Sequence, residues 1–457
     1  MDQRSQFEMP NRYRRAFDWR ISTPLLRGPR EAATEGIVGL SRSDLPDILE
    51  DFLDLTRKRR ANRTAISKLQ IWMLQEIVFQ EAVVKRCKKR LEELGIDATA
   101  PMEGASPEVK SIEREMFLFR TYANAIRLIG DGIAWRALGY DRAVVRLMAE
   151  QPTKQQVASE GLMGELLEWS IHFDHGNGVA ILNSLTNCLA IGDVTVVRDD
   201  GSVEIVEVKS SNTKSRRKIR QKHKMHEVAT LLSAGEGSTA DKEVTIEILP
   251  ITPEAGLNRI SELLSQAEKQ GWSSARISNC LYVECFDFKK FEKIETVELA
   301  VREATAARER IIGDWKQGGD LVIQQNSLNL IAFSPNCAPF SVFPFPSRIC
   351  VDLMIGKKQY TGYLNVSAVA REFEYRGWKI TKTAEDLAEE GNDQAILAVQ
   401  KGAFHAHIPP GDFMRMHMEA LRPQTVISAY EASFRQGPTA ESGFSLALYE
   451  GEPDLWD

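Results

Sequence analysis

The sequence predicts an α/β protein in three parts: a helical N-terminal region over residues 1–150, an α/β core over 151–295 and an α+β C-terminal domain over 296–457. Two patterns support this fold class. Apolar side chains recur at three- and four-residue steps in the first part, whereas short β-branched runs separated by turn residues dominate the second. A chain of 457 residues also exceeds what one hydrophobic core usually serves, so several domains are expected.

Two long helices are predicted in the N-terminal region. Apolar side chains follow a helical period over residues 66–94, and Ser106 and Pro107 supply a cap and a first-turn proline for a second helix. The G-D-G motif at 130–132 interrupts helical sequence and follows no strand, so we expect a helix kink or joint there rather than a phosphate loop. Paired antiparallel helices favour a bundle or arm that supports a homo-oligomer or lies along a duplex.

The central region predicts the order helix, three strands, helix, strand, which a single mixed sheet can organise. The first helix is expected over residues 157–173, and a basic helix is expected from residue 216, between the third and fourth strands. Strand-like runs begin near residues 179, 193, 203, 243 and 281.

The C-terminal domain shows no internal repeat. Its sequence predicts a helix near 297–315, strand and turn structure over 340–355 and a short helix over 366–376. His405 and His407 would share one face of a strand, and without a third ligand we interpret them as a surface pair. The six cysteines form no Cys-x-x-Cys pair and are interpreted as buried small apolar residues.

Charge and hydropathy restrict the possible partners. No apolar run approaches the roughly 18 residues of a membrane span, and the charged N-terminus is unlike a secretory signal, so we expect a cytoplasmic protein without a membrane partner. The net charge is −6, yet residues 209–224 hold eight Lys and Arg and no acid, leaving 50 basic against 64 acidic residues elsewhere. An acidic protein with one basic stretch is suited to hold a polyanion at one place.

Residues 191–211 (IGDVTVVRDDGSVEIVEVKSS) predict a β-hairpin with a three-residue loop and a left-handed glycine. With Asp200 at the centre, Arg198 pairs with Ser202, and counting outward places Asp193 opposite Glu207. Opposed residues point to the same face of a strand pair, so two carboxylates are expected to converge.

Lys209 returns to the same face, two positions after Glu207. Because like charges across a strand pair repel, a cation is expected between the two acids. Oxygen ligands of this kind suit Mg²⁺ or Mn²⁺, which leave coordination positions open to phosphate oxygens. The ammonium of Lys209 is placed to orient water or to stabilise charge on phosphorus, and hydrolysis of a phosphodiester uses that combination.

Basic residues open the helix that follows the hairpin, although the helix macrodipole already makes that end positive. A bound anion resolves this conflict, and phosphate is the favoured one; a solvated charged face is the alternative. The residues concerned are Arg216, Arg217, Lys218 and Arg220.

Over about residues 157–290, the sequence resembles the PD-(D/E)xK nuclease superfamily, in which Asp193 and the tripeptide Glu207-Val208-Lys209 match the motif. The resemblance implies a restriction-endonuclease-like core of α-β-β-β-α-β order. It also implies that Asp193 and Glu207 bind Mg²⁺ with the main-chain carbonyl of Val208, and that Lys209 positions or activates the attacking water. The implied substrate-backbone contacts, with neighbouring basic residues that we add to the same interface, are Lys214, Arg216, Arg217, Arg220 and Gln221.

The family commonly adds a glutamate from the upstream helix, in a G-x-x-x-E setting. Gly161 and Glu165 fit this pattern, with Glu160 and Glu168 as rivals. Because Glu165 and Glu168 can share one helix face, the sequence does not separate them, and we choose Glu165. Met225 replaces the tyrosine of the family's Q-x-x-x-Y subgroup, which weakens assignment to that branch.

The sequence therefore predicts a Mg²⁺-dependent DNA endonuclease, with Mn²⁺ able to substitute, acting in defence, repair or mobile-element processing. Its other regions would supply homo-oligomer or partner-protein contacts. The alternatives are a non-catalytic nucleic-acid-binding or scaffold subunit that keeps the nuclease fold, and a nuclease directed at RNA.

Overall fold

The computed structural model describes thirteen stretches of the chain, and every structural statement below concerns these residues. The described ranges are 45–57, 63–96, 106–149, 162–174, 178–208, 227–228, 236–239, 242–249, 251–291, 294–330, 337–391, 395–436 and 444–449. They form a mixed α/β protein that divides into two compact units. The first unit comprises residues 1–134 and 151–221, and the second comprises 135–150 and 222–457. Within the described ranges, no helix is both long and apolar enough to cross a membrane.

The first unit combines helices with a three-stranded antiparallel sheet in the order β1-β2-β3. Its elements are α1 (Leu45–Arg57), α2 (Arg63–Glu93), α3 (Pro107–Ala137, whose last three residues belong to the second unit), α5 (Leu162–Asp174), β1 (Gly178–Leu182), the 3₁₀ turn η1 (Asn183–Leu185), β2 (Val194–Arg198) and β3 (Val203–Val206).

The two long N-terminal helices are confirmed. Gly95 ends α2 with a positive φ of 72°, and Ser106 precedes Pro107 at the start of α3. The two helices run antiparallel, because an early residue of α3 lies beside a late residue of α2. An ion pair of 3.0 Å joins Arg90 to Glu108 at one end, and the missing Cβ of Gly130 would lie 3.5 Å from Met73 Cε further along.

The helix is not interrupted at the G-D-G motif, since α3 continues through residues 130–132 to Ala137. A Cβ on Gly130 would lie 2.0 Å from the carbonyl oxygen of Leu185, so only glycine allows this part of the helix to approach η1. The signal taken for a break therefore marks a close contact between backbones.

The hairpin is confirmed with its predicted register. Val194 pairs with Val206 and Val197 with Val203, and the amide of Arg198 donates to the carbonyl of Ser202 at 2.8 Å. The loop contains three residues and ends at a glycine of φ 81°, the left-handed position that favours this residue.

The second unit contains three further sheets, in the orders β13-β5-β4, β6-β7-β9-β8 and β10-β11-β12. Its helices are α4 (Arg142–Met148), α6 (Leu257–Gln270), α7 (Ile294–Gln317), α8 (Ser347–Met354), α9 (Val366–Tyr375), α10 (Ala384–Glu389), α11 (Pro410–Met418) and α12 (Pro423–Gln436). Its strands are β4 (Glu236–Thr239), β5 (Lys242–Leu249), β6 (Trp272–Arg276), β7 (Leu281–Asp287), β8 (Val322–Asn326), β9 (Lys358–Asn365), β10 (Lys379–Lys382), β11 (Leu397–Lys401), β12 (Phe404–Ile408) and β13 (Phe444–Tyr449).

The prediction of one sheet for the central region is wrong. All five strands exist close to their expected positions, but β5 pairs with β4 and β13, and β7 pairs with β6 and β9. The two units also group the chain differently from the three predicted parts, because residues 1–134 share a unit with residues 151–221. The reason is long-range pairing: Gln70 of α2 hydrogen-bonds to Ala180 and Leu182 of β1, which ties the first sheet to the N-terminal helices.

Two smaller outcomes concern the C-terminal region. Residues 347–354 form helix α8 rather than the expected strand and turn structure. Six of its eight residues are buried, so polar residues on a solvent-facing side, the usual signal of an amphipathic helix, are largely missing. All six cysteines are buried, and His405 and His407 are exposed on β12, as expected.

Candidate active site

The hairpin brings the carboxylate of Asp193 to the E-x-K tripeptide. The amide of Asp193 donates to the carbonyl of Val206 at 2.8 Å, just beyond the last paired residues of β2 and β3. The Oδ2 atom of Asp193 accepts the amide of Val208 at 2.7 Å. Gly192, with a φ of 74°, supplies the backbone turn that enters β2. Asp193, the first acid of the motif, is thus hydrogen-bonded to the backbone of the Glu207-Val208-Lys209 tripeptide.

Helix α5 places Glu165 beside this group. A Cβ on Gly164 would lie 2.8 Å from Cγ1 of Val208, so the absence of a side chain lets the helix pack closely against the tripeptide. The next residue, Glu165, is only 8% exposed. A glycine one position before the acid therefore supports the site, although the sequence pattern drew attention to Gly161, which lies outside the described residues.

The electrostatics of the two acids are coupled. Burial and, to a smaller extent, the negative charge of Asp193 together raise the pKa of Glu165 from its ordinary value of 4.5 to about 7. Burial also raises the pKa of Asp193, against the opposing effect of the hydrogen bond from the Val208 amide. Two carboxylates close together in a poorly solvated site favour protonation or a bound cation.

Of the three candidate glutamates, Glu165 is the one that interacts with Asp193. Glu168, one turn further along α5, instead lies 3.4 Å from the Nε2 atom of His172. Glu160 lies outside the described residues. The participation of Glu165 in catalysis stays a prediction.

The remaining predicted residues are described only in part. Glu207 and Val208 are both partly exposed, immediately after β3. The lysine of the motif, Lys209, lies outside the described residues. The residues of the predicted nucleic-acid interface also lie outside them: Lys214, Arg216, Arg217, Arg220 and Gln221.

The residue types of the candidate site match the oxygen donors that a hard divalent cation prefers. Asp193, Glu165 and Glu207 carry carboxylates, and Val208 carries a main-chain carbonyl. Mg²⁺ uses few protein carboxylates and keeps several waters, so a complete protein cage is unnecessary. Within the described ranges, no three His, Cys, Asp or Glu side chains are grouped tightly enough to hold a metal by themselves. A cation here would therefore rely on one or two carboxylates, the backbone and solvent.

The sequence analysis did not identify η1, the segment whose Asn183 forms a hydrogen bond to the backbone of Asp193. The amide of Asn183, in η1, donates to the carbonyl of Asp193 at 3.0 Å, and its side-chain Nδ2 donates to the carbonyl of Ile191 at 2.8 Å. The run of Asn, Ser and Thr after β1 was a usable signal, because these residues bond readily to nearby backbone.

No family model, curated protein or solved structure matches this chain. The functional argument therefore depends on the motif and on the geometry of the site.

Proposed function

We propose that the protein is a Mg²⁺-dependent DNA endonuclease of the PD-(D/E)xK type. The observation that carries this proposal is the electrostatic interaction of Glu165 with Asp193. The carboxylate of Asp193 in turn accepts a hydrogen bond from the amide of Val208 in the E-x-K tripeptide. Separate segments of sequence thus supply two neighbouring acids, of which Glu165 is buried and Asp193 is partly exposed. A site built only for stability gains little from such acids, because burying two like charges together is unfavourable.

The roles follow from the chemistry of each group. Asp193 and Glu207, with the carbonyl of Val208, would hold the metal, and Glu165 would contribute negative charge from α5. A divalent ion bound there supplies neutralising charge for the phosphate and a lower pKa for bound water. Lys209 orients the attacking water and offsets charge that develops on phosphorus.

The order of elements supports the proposal in part. Helix α5 followed by β1, β2 and β3 has the same order as the first four elements of α-β-β-β-α-β. The later strands β5 and β7 belong to other sheets, so the proposal concerns a compact catalytic motif rather than a complete single-sheet core.

DNA is the proposed substrate because of where the positive charge lies. Residues 209–224 begin with the motif lysine and contain eight basic side chains and no acid, whereas the rest of the chain is acidic. Phosphate contacts from such a stretch would hold a duplex next to the two acids, with affinity that falls as salt rises.

The test is cleavage of supercoiled, linear, single-stranded and branched DNA with Mg²⁺ or Mn²⁺. Asp193→Ala, Glu207→Ala and Lys209→Ala should each reduce cutting by on the order of 100-fold or more while leaving the fold intact. Asp199→Ala is the matched control, because it removes an exposed acid from the loop of the same hairpin and should cut normally.

The other outcomes separate the alternatives. Salt-dependent DNA binding without cleavage by the unmodified protein would indicate a non-catalytic binding subunit, and cleavage of RNA alone would change the substrate class. Continued cutting by the Glu207→Ala protein would remove the assignment of the site.

A further inference from the structure

Helix α3 carries a buried carboxylate whose three described hydrogen-bond donors come from one loop. Asp131 is fully buried. Its Oδ1 accepts the amides of Asn187 and Cys188 at 2.6 and 2.8 Å, and its Oδ2 accepts Nδ2 of Asn187 at 2.9 Å. Burial raises the pKa of Asp131 to about 6, against the opposing effect of these bonds. A buried acid with this many donors is a strong local constraint, because each bond to a charged group contributes more than a neutral one.

The preceding residue holds the same loop by a different means. The missing side chain of Gly130 leaves room for the carbonyl of Leu185, which would otherwise lie 2.0 Å from a Cβ. Consecutive residues of one helix therefore fix the loop between β1 and β2, one through backbone contact and one through charge.

The loop passes this constraint on to the candidate active site. The side chain of Thr186 donates to the carbonyl of Asn183 at 3.0 Å and accepts the amide of Leu189 at 3.1 Å. Asn183 in turn bonds to the carbonyls of Ile191 and Asp193. These hydrogen bonds, together with the peptide links between Thr186 and Leu189, thus join α3 to the backbone of Asp193.

We propose that Asp131 is a positioning residue: it holds the loop between β1 and β2, and through Asn183 it fixes Asp193 against the amide of Val208. The part of this inference that concerns catalysis rests on the proposed nuclease function. The part that concerns the position of Asp193 does not.

The first test reads the structure without activity. Hydrogen exchange by mass spectrometry on metal-free protein would follow two peptides, one covering Asn187 and Cys188 and one covering Val208. Asp131→Asn should raise exchange in both, and Asp193→Asn should raise it in the Val208 peptide; a tenfold rise corresponds to about 1.4 kcal/mol of lost protection. Asn187→Ala is the milder second variant, because it removes one donor and keeps the backbone.

A destabilised control separates coupling from general loss of stability. Leu91 is fully buried near the far end of α2, about 27 Å along the helix from Met73, which lies beside Gly130. Leu91→Ala should lower the urea concentration at the midpoint of unfolding without selectively raising exchange in the Val208 peptide. Two results would overturn the proposal. One is equal exchange of the Val208 peptide in the Asp131→Asn and Leu91→Ala proteins. The other is a rise confined to the Asn187 peptide in both the Asp131→Asn and the Asn187→Ala proteins.

The second test uses kinetics if the protein cuts DNA. Asp131→Asn should lower kcat by about 10-fold or more and leave KM within about twofold, because misplacing a catalytic group affects the chemical step more than substrate binding. A normal kcat in the Asp131→Asn protein, combined with normal exchange in the Val208 peptide, would overturn the positioning role alone. If the unmodified protein cuts nothing but the exchange coupling is present, the nuclease proposal fails and the positioning of Asp193 stands.

Discussion

Replacing Glu165 by glutamine is expected to stabilise the protein at alkaline pH. The folded protein holds the pKa of this acid at about 7, compared with an ordinary value of 4.5. An acid whose pKa is raised by folding contributes stability below its unfolded pKa and loses it as the pH rises through the folded value. Glutamine keeps the shape of the neutral acid and cannot ionise.

The pKa values set the size of this effect. Each pH unit between the unfolded and folded pKa corresponds to about 1.4 kcal/mol, so the rise from 4.5 to about 7 in Glu165 corresponds to about 3 kcal/mol. The Glu165→Gln protein should therefore match the unmodified protein near pH 4 and exceed its free energy of unfolding by up to about 3 kcal/mol near pH 8.

Urea unfolding in the presence of a chelator, repeated across this pH range, measures the difference directly. Glu168→Gln is the matched control on the same helix, because Glu168 is partly exposed and its ion pair with His172 is worth at most about 1 kcal/mol. A Glu165→Gln protein whose stability relative to the unmodified protein does not change with pH would refute the reasoning. Saturating Mg²⁺ should then stabilise the unmodified protein more than the Glu165→Gln protein, because only the former supplies the carboxylate.

Two further predictions concern positions where the packing is specific. Gly130→Ala should destabilise the protein by more than about 2 kcal/mol, because the new Cβ would meet a backbone carbonyl at 2.0 Å; Gly313→Ala, in a helix with open space around it, should be neutral or stabilise by up to about 1 kcal/mol. Chemical unfolding of the two variants measures both, and equal effects would contradict the contact. Arg142→Met should cost about 3 kcal/mol, because the fully buried Glu419 loses one arginine partner at 2.9 Å and keeps only Arg415 of the two, whereas Lys382→Met breaks an exposed pair and should cost less than about 1 kcal/mol. Thermal unfolding compares them, and a smaller loss for Arg142→Met than for Lys382→Met would contradict the burial argument.

The parts of the fold that follow from local pattern could be predicted from the sequence. The hairpin register depends on a three-residue spacer with glycine at its end, and the long helices depend on apolar spacing and on residues such as Gly95 and Ser106. These signals act over a few residues, so one sequence contains them in full.

The parts that depend on distant pairing could not be predicted. Strand β7 lies against β9, about 80 residues later in the chain, and nothing in either strand names its partner. The same holds for the site: the acids could be recognised from the motif, but the contact of Gly164 with Val208 and the bonds of Asp131 join segments far apart in sequence. The role of the G-D-G motif could not be predicted for the same reason, because Gly130 packs against the backbone of Leu185, which lies far away in the sequence.

If Asp193 and its neighbouring acids form a divalent-metal site, the protein should bind Mn²⁺ saturably, and a Mn²⁺ titration followed by electron paramagnetic resonance measures this binding. We expect Asp193→Asn to weaken the binding by about 10-fold or more and Asp199→Asn to leave it unchanged. Binding of equal strength in all three proteins, or no saturable binding in the unmodified protein, would show that these acids do not form such a site.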